Sequence, residues 1–142
     1  MIVLASDHAG FELKQKIKNW FNKKNIDFFD VGADVLDVED SFVQYAKMAV
    51  EHFSKNCNKD DKLLLVCGSG IGMSVVANRN PNIRAVLAYS KKQARDGRLH
   101  TDCNCLCLGA RHICFLKAKC IIKTFLKTDF LAGKYLERIN SI

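Results

Sequence analysis

Residues 63–74 read Leu63-Leu64-Leu65-Val66-Cys67-Gly68-Ser69-Gly70-Ile71-Gly72-Met73-Ser74, an unbroken apolar run that enters a loop with glycine at every second position. A short uncharged run without polar alternation is the pattern of a strand covered on both faces, and the glycines turn it into the start of a helix. Strands of this kind belong to parallel sheets with helices on either side. Similar runs recur at 2–5, 26–31, 83–88 and 103–108, giving five strands in all.

The segments between them read as helices. Leu13, Ile17, Trp20 and Phe21 fall at i, i+4, i+7 and i+8, one face of an amphipathic helix. Ser41-Phe42-Val43-Gln44 and Ser90-Lys91-Lys92-Gln93 each fit the S-x-x-Q capping box that satisfies free amides at a helix entrance. Pro81, the single proline, follows a helix that ends near Asn80. A long amphipathic stretch covers 112–127, Gly133 breaks the pattern, and a basic tail segment follows over 134–142. Strand and helix alternate, which predicts a doubly wound α/β fold with a parallel sheet between two helical layers. Ligands in such sheets bind beyond the carboxyl ends of the strands. That rule selects Ser6-Asp7-His8, the loop at Gly32, Cys67-Gly68-Ser69-Gly70, Tyr89-Ser90 and Gly109-Ala110-Arg111.

Composition sets the outer bounds. At 142 residues and 49% hydrophobic content the chain fits one domain, residues 1–142, with a core that needs no staples. No linker, repeat or low-complexity segment interrupts it. The opening apolar run is far too short for an export signal or a membrane span, so a soluble, cytoplasmic protein is expected. Seven cysteines, an odd number, are then reduced thiols and not a disulfide framework. The formal charge of +7 suits nucleic acid in principle, but the lysines are spread along helical stretches and no aromatic-basic recognition motif is present. A compact anion such as a phosphate ester is the better fit.

The glycine loop lets backbone amides converge beside a helix start, a place of positive potential for a phosphate or a reaction oxyanion. It is neither a dinucleotide fingerprint nor a Walker loop, lacking the spacing of the first and the lysine of the second. Cys67 stands at the strand end, where those amides are expected to favour thiolate and lower its pKa, as a general base requires. His8, beside Asp7, and His100 are the imidazoles nearest strand ends, although His100 precedes the fifth strand and reaches a site only through the helix end or loop before it. His52 and His112 fall on helical patterns. Arg111, Lys134 and Arg138 are phosphate ligands of the right type, the last two one turn apart. In Cys103-Asn104-Cys105-Leu106-Cys107 the three thiols share one strand face, spaced along it instead of gathered round an ion, so no metal is expected.

Taken in order, these motifs resemble ribose-5-phosphate isomerase of type B and the related galactose-6-phosphate isomerases, nearly end to end. The likeness rests on Ser6-Asp7-His8-Ala9-Gly10-Phe11-Glu12-Leu13-Lys14, on Cys67-Gly68-Ser69-Gly70-Ile71-Gly72 where the family has C-G-[ST]-G-x-G, on Arg98-x-His100-x-Asp102-x-Asn104 with Leu108-Gly109-Ala110-Arg111, and on Gly133-Lys134-Tyr135-x-x-Arg138. The resemblance implies a Rossmann-like three-layer αβα domain that forms homodimers, often pairing into tetramers, with each site built from two subunits and the tail from about 133 to 142 contacting the partner. It implies a cofactor-free interconversion of ribose 5-phosphate and ribulose 5-phosphate in the pentose phosphate pathway. Cys67 would be the base, Ser69 a proton relay, and the amides of Gly68, Ser69, Gly70, Ile71 and Gly72 an enediolate cradle. His100 would open the ring and Asp7 bind hydroxyls, while His8, Arg111, Lys134 and Arg138 hold the phosphate.

The chain departs from the family at three places. Thr101 follows His100 where Asn is usual, Lys134-Tyr135 replaces Arg-His, and Ser41-Phe42-Val43 replaces D-Y-P. The proton-transfer loop is untouched by these changes. They point to alternatives at the substrate end: an isomerase of allose 6-phosphate or galactose 6-phosphate, or a non-catalytic sugar-phosphate binding protein on the same fold.

Overall fold

The structure, a computed structural model, describes residues 1–141. Five parallel strands, β1 (Ile2–Ser6), β2 (Phe28–Gly32), β3 (Lys62–Cys67), β4 (Ala85–Leu87) and β5 (Cys105–Gly109), stand in the order β2-β1-β3-β5-β4. The helices are α1 (His8–Lys23), α2 (Phe42–Asn56), α3 (Ile71–Ala77), α4 (Lys91–Thr101), α5 (Phe115–Lys127) and α6 (Lys134–Ile139). This is the expected three-layer αβα arrangement.

Side-chain alternation along the strands builds two cores. Ile2 and Leu4, Leu64 and Val66, and Leu106 and Leu108 face α1, α4 and α5, where Leu13, Ile17, Trp20 and Phe21 pack as their spacing predicts. Val3 and Ala5, Leu63, Leu65 and Cys67, and Cys105 and Cys107 face α2 and α3. Burial on both faces explains why β1, β3 and β5 read as apolar runs, while the edge strands β2 and β4 are only partly buried. Sealing a strand end between two helices leaves its last residue, Cys67, in the dry interior.

Three strands are shorter than their apolar runs, for a common reason. The backbone of Ile26 is used in closing the end of α1, its N–H donating to Phe21 O at 3.0 Å. Ile83 N–H donates to Asn80 O, and Cys103 N–H returns to Gly97 O at the end of α4. These residues are apolar because they pack on the core, Ile83 and Cys103 fully and Ile26 in part, not because they pair in a ladder. Cys103 accordingly lies with the α1, α4 and α5 core and not on the face of Cys105 and Cys107, correcting the expectation that the three thiols align. Helix α3 ends at Ala77 and its last turn tightens toward Asn80, so Pro81 follows as expected. Ser41 and Ser90 both cap their helices, accepting from Val43 N–H and Gln93 N–H. The tail forms α6, and Ile142, the last residue of the expected tail, lies outside the described residues.

Folding also gathers charge that is dispersed in the chain. Helices α1 and α5 hold eight of the 22 basic residues and one of the 15 acidic ones, Glu12, leaving fourteen of each sign elsewhere. The two helices meet along a groove lined by Lys16, Asn19, Trp20, Lys23, Phe115 and Lys119. Those two helices therefore carry a net charge equal to the whole formal excess of +7.

Candidate active site

Strand order places the topological switch between β1 and β3, and their carboxyl ends bring together two of the sequence-predicted segments. Asp7 leaves β1 as the N-cap of α1, its carboxylate accepting the Gly10 N–H at 2.9 Å. Burial pushes its pKa up despite that bond. His8 opens the helix, and both its backbone N–H (2.9 Å) and its Nδ1 (2.7 Å) meet one oxygen of Asp40. The bond to Asp40 raises the His8 pKa above the ordinary imidazole value. Arg111 follows β5, its N–H donating to Gly68 O at 3.0 Å. Its guanidinium lies against Gly68, where a Cβ would sit 3.1 Å from Arg111 Cζ. His8, Arg111 and Gly68 thus form a small cationic corner beside the loop.

The loop itself is built round the sulfur. Gly70 N–H donates to Cys67 Sγ at 3.0 Å, and Gly70 adopts φ 78°, ψ −15°, a left-handed turn natural to glycine. A side chain there would strike Leu87 Cδ1 at 2.5 Å and the backbone between Leu108 and Gly109. Ile71 N–H donates to Ser69 Oγ at 3.2 Å, and the Ser69 carbonyl accepts the Tyr89 hydroxyl at 2.5 Å. Gly72 lies under the Phe42 ring, whose Cε2 would be 2.6 Å from an added Cβ. Phe42 is the family's tyrosine position, here without a hydroxyl.

One electrostatic expectation fails. Burial is the largest influence on Cys67 and raises its pKa, while the amides of Met73, Gly70 and Ser69 pull it down and Asp7 pushes it up. Desolvation outweighs the amides because the thiol is only 4% exposed, between α3 and the sheet.

His100, Lys134 and Arg138 are not brought to these strand ends. Helix α4 runs back toward the amino end of β5, where Leu63 N–H donates to Asn104 O. The ladder from Leu63↔Cys105 to Cys67↔Gly109 spans four steps, about 13 Å at 3.3 Å per residue. At that far end His100 stacks on Tyr135 with centroids 4.6 Å apart, and Lys134 and Arg138 flank the same ring at 5.4 and 5.5 Å. The rest of the motif fastens this end. Arg98 donates to Asp102 and to Cys103 O, both at 2.7 Å, and Asn104 Oδ1 accepts Arg84 N–H at 2.8 Å. The sequence-predicted residues therefore fall into two groups at opposite ends of the strands.

Sequence reasoning missed Asp40 and the contact that Tyr89 makes with Ser69. Asp40 sits 32 positions from His8 in an acidic loop without a motif, so only loop closure reveals the pair. Tyr89 was visible as a strand-end residue, but its clamp on Ser69 was not. His112 lies in the turn before α5, edge-on to Tyr89 at 5.2 Å, and not on a helix. His52 is on α2 and stacks against Phe29. Among the described residues no group of three or more His, Cys, Asp or Glu side chains is placed to hold a metal ion, and no helix is long and apolar enough to cross a membrane.

The family model for Ribose/Galactose Isomerase matches residues 2–142. A curated Mycoplasma genitalium protein named "Probable ribose-5-phosphate isomerase B" is 33% identical over 141 residues, covering 99% of this chain and 92% of the relative. Among solved structures, ribose 5-phosphate isomerase of Thermotoga maritima superposes with a TM-score of 0.93 at 39% identity, covering 99% of this chain and 94% of the other. The Mycoplasma genitalium ribose-5-phosphate isomerase B with bound ribulose-5-phosphate superposes with a TM-score of 0.92 at 33% identity, covering 99% and 91%. With this fold, these likenesses define an aldose–ketose isomerase. The chain belongs to the ribose/galactose isomerase family, and its likeness is to the type B ribose-5-phosphate isomerases.

Proposed function

We propose that this protein interconverts D-ribose 5-phosphate and D-ribulose 5-phosphate, a step of the pentose phosphate pathway, in the cytoplasm. The observation that carries the reading is Cys67, held by Gly70 N–H at the mouth of an amide-lined loop with Asp7, His8 and Arg111 beside it. Isomerisation needs a base for the proton on carbon 2 and donors for the oxygen that becomes negative when it leaves. Cys67, once deprotonated against the burial that raises its pKa, takes that proton and returns it to carbon 1. Ser69 relays the proton between the two oxygens. The loop amides hold the enediolate, those of Gly70 and Ile71 only once substrate displaces the sulfur and the Ser69 hydroxyl that now occupy them. No electron leaves the substrate, so no redox cofactor enters the chemistry.

A complete site also needs ring opening by His100 and further phosphate contacts from Lys134 and Arg138. Those residues lie at the opposite ends of the strands, so they serve a neighbouring subunit's Cys67. This supports a homodimer with two shared sites, with or without further pairing into a tetramer.

Cys67→Ala is expected to lower isomerase turnover at least a thousandfold while inorganic phosphate still binds. Near wild-type turnover would overturn the base assignment, and an inactive wild-type protein that binds sugar phosphate would favour a binding role. Because Phe42 lacks the hydroxyl of the family's tyrosine, ribose 5-phosphate, allose 6-phosphate and galactose 6-phosphate are to be compared side by side. The highest kcat/KM is expected on ribose 5-phosphate, and a higher value on either hexose phosphate would reassign the substrate.

A further inference from the structure

The His8 ring is gripped from one side only. Its Nδ1 lies 2.7 Å from Asp40 Oδ1, and the same carboxylate oxygen accepts the His8 backbone N–H at 2.9 Å. The Asp40 side chain is 4% exposed, and its other oxygen, Oδ2, is buried without any hydrogen-bond donor among the described residues. The buried charge is therefore answered by His8 alone. A carboxylate with a single partner confers both direction and charge: it fixes Nδ1 as the bonded nitrogen and favours the ring's cationic form.

We propose that Asp40 is a positioning residue of the anion site, holding the His8 ring by Nδ1 so that its Nε2 N–H is presented to the phosphate of the substrate. This rests on the reading of His8 as a phosphate ligand. A neutral ring with its proton on Nδ1 turns a lone pair toward the phosphate and repels it; the imidazolium turns a charged donor toward it. The other charges facing His8 are Asp7, on its own element, which favours the cation, and Arg111, from the turn after β5, which opposes it. Asp40 comes from the loop between β2 and α2 and is the strongest of these influences. The D-Y-P of the family is missing here, and the carboxylate that grips His8 stands immediately before Ser41-Phe42-Val43.

Asp40→Asn tests this without relying on turnover. His8 is titrated by NMR, and the affinity of the intact protein for inorganic phosphate is measured at pH 6 and pH 8. The variant is expected to titrate His8 at lower pH than the wild type and to lose roughly fivefold in phosphate affinity at pH 8 and less at pH 6, because a lowered titration midpoint costs ring charge increasingly as pH rises. Added to His8→Ala, the same change is expected to have no further effect. The proposal is overturned if His8 titrates as in the wild type, if the loss is the same at both pH values, or if the two substitutions are additive. Asp40→Ser supplies the same readouts if the Asn variant does not fold. If inorganic phosphate follows these expectations while ribose 5-phosphate is not turned over, the positioning role stands and the proposed reaction fails.

Discussion

Gly70→Ala separates what glycine does for the backbone from what it does for the site. With φ at 78° and ψ at −15°, an alanine at this position adopts a left-handed conformation, which costs about 1–2 kcal/mol. Its Cβ would also lie 2.5 Å from Leu87 Cδ1, 2.9 Å from the Leu108 carbonyl carbon and 3.1 Å from Gly109 N. Two of those atoms are sheet backbone at the end of β5 and have no rotamer to escape into. Such overpacking adds about 1–3 kcal/mol, giving roughly 2–5 kcal/mol in all. For a chain of this length that corresponds to a melting temperature lowered by about 6–15 °C. Turnover falls as well, because the Gly70 N–H that holds Cys67 moves with the loop. Gly68→Ala is the control. There the new methyl meets the Arg111 guanidinium and Ala9 Cβ at 3.1–3.3 Å, and the arginine head is free to shift, so the stability loss stays below about 1 kcal/mol while phosphate affinity drops. Thermal melts and phosphate binding of the two variants decide the matter. Equal losses of stability, or a stable Gly70→Ala protein, would refute the assignment of Gly70's role to backbone crowding.

Other outcomes follow from the same geometry. Lys14 is buried with its Nζ donating to Asp30 at 2.8 Å and Ala33 O at 2.7 Å; Lys14→Met leaves Ala33 O without its donor and Asp30 with only Lys18 and the Gly32 N–H, and is expected to cost about 1–3 kcal/mol in urea denaturation. The Cys67 and Cys103 thiols have pKa values raised by burial above the ordinary 9.0, so their contribution to stability is complete below that pH and is lost as pH rises through the folded values. Melting curves should fall on the alkaline side, and replacing Cys103 with alanine should flatten that fall. His100→Ala should reduce turnover less on substrate already in open-chain form than on the furanose, in stopped-flow assays with each; equal losses would remove His100 from ring opening. Mixing Cys67→Ala and His100→Ala subunits should restore about one quarter of wild-type activity, since half the dimers then hold one intact site of two, whereas no recovery would place both residues in one subunit's site.

Much of this was legible in the chain because β3 and its loop are local. An apolar run buried on both faces reads continuously, and Gly68, Gly70 and Gly72 follow it directly, so strand, turn and anion cradle needed no tertiary information. The N-cap serines and the face of α1 were legible for the same reason. What escaped was set by folding at long range. Ile26, Ile83 and Cys103 are apolar like strand residues but serve as helix ends and corners. Asp40 reaches His8 only through closure of the β2–α2 loop. The pKa of Cys67 was misjudged because adjacent amides are visible in a sequence and the depth of burial is not. His100, Lys134 and Arg138 were recognised as chemistry-bearing residues, but only the direction of α4 shows that they occupy the far ends of the strands.

The segregation of charge onto α1 and α5 makes the molecule behave asymmetrically at a charged solid. An anionic resin or glass surface meets equal numbers of basic and acidic residues outside these two helices and the unbalanced lysines on them, so adsorption orients it by that face. The glycine loop after Cys67 lies beyond the strand ends, at the His8 end of α1 and away from the Lys23 end, so protein held by the lysines further along α1 and α5 keeps that loop off the contact, and salt that screens those lysines releases it.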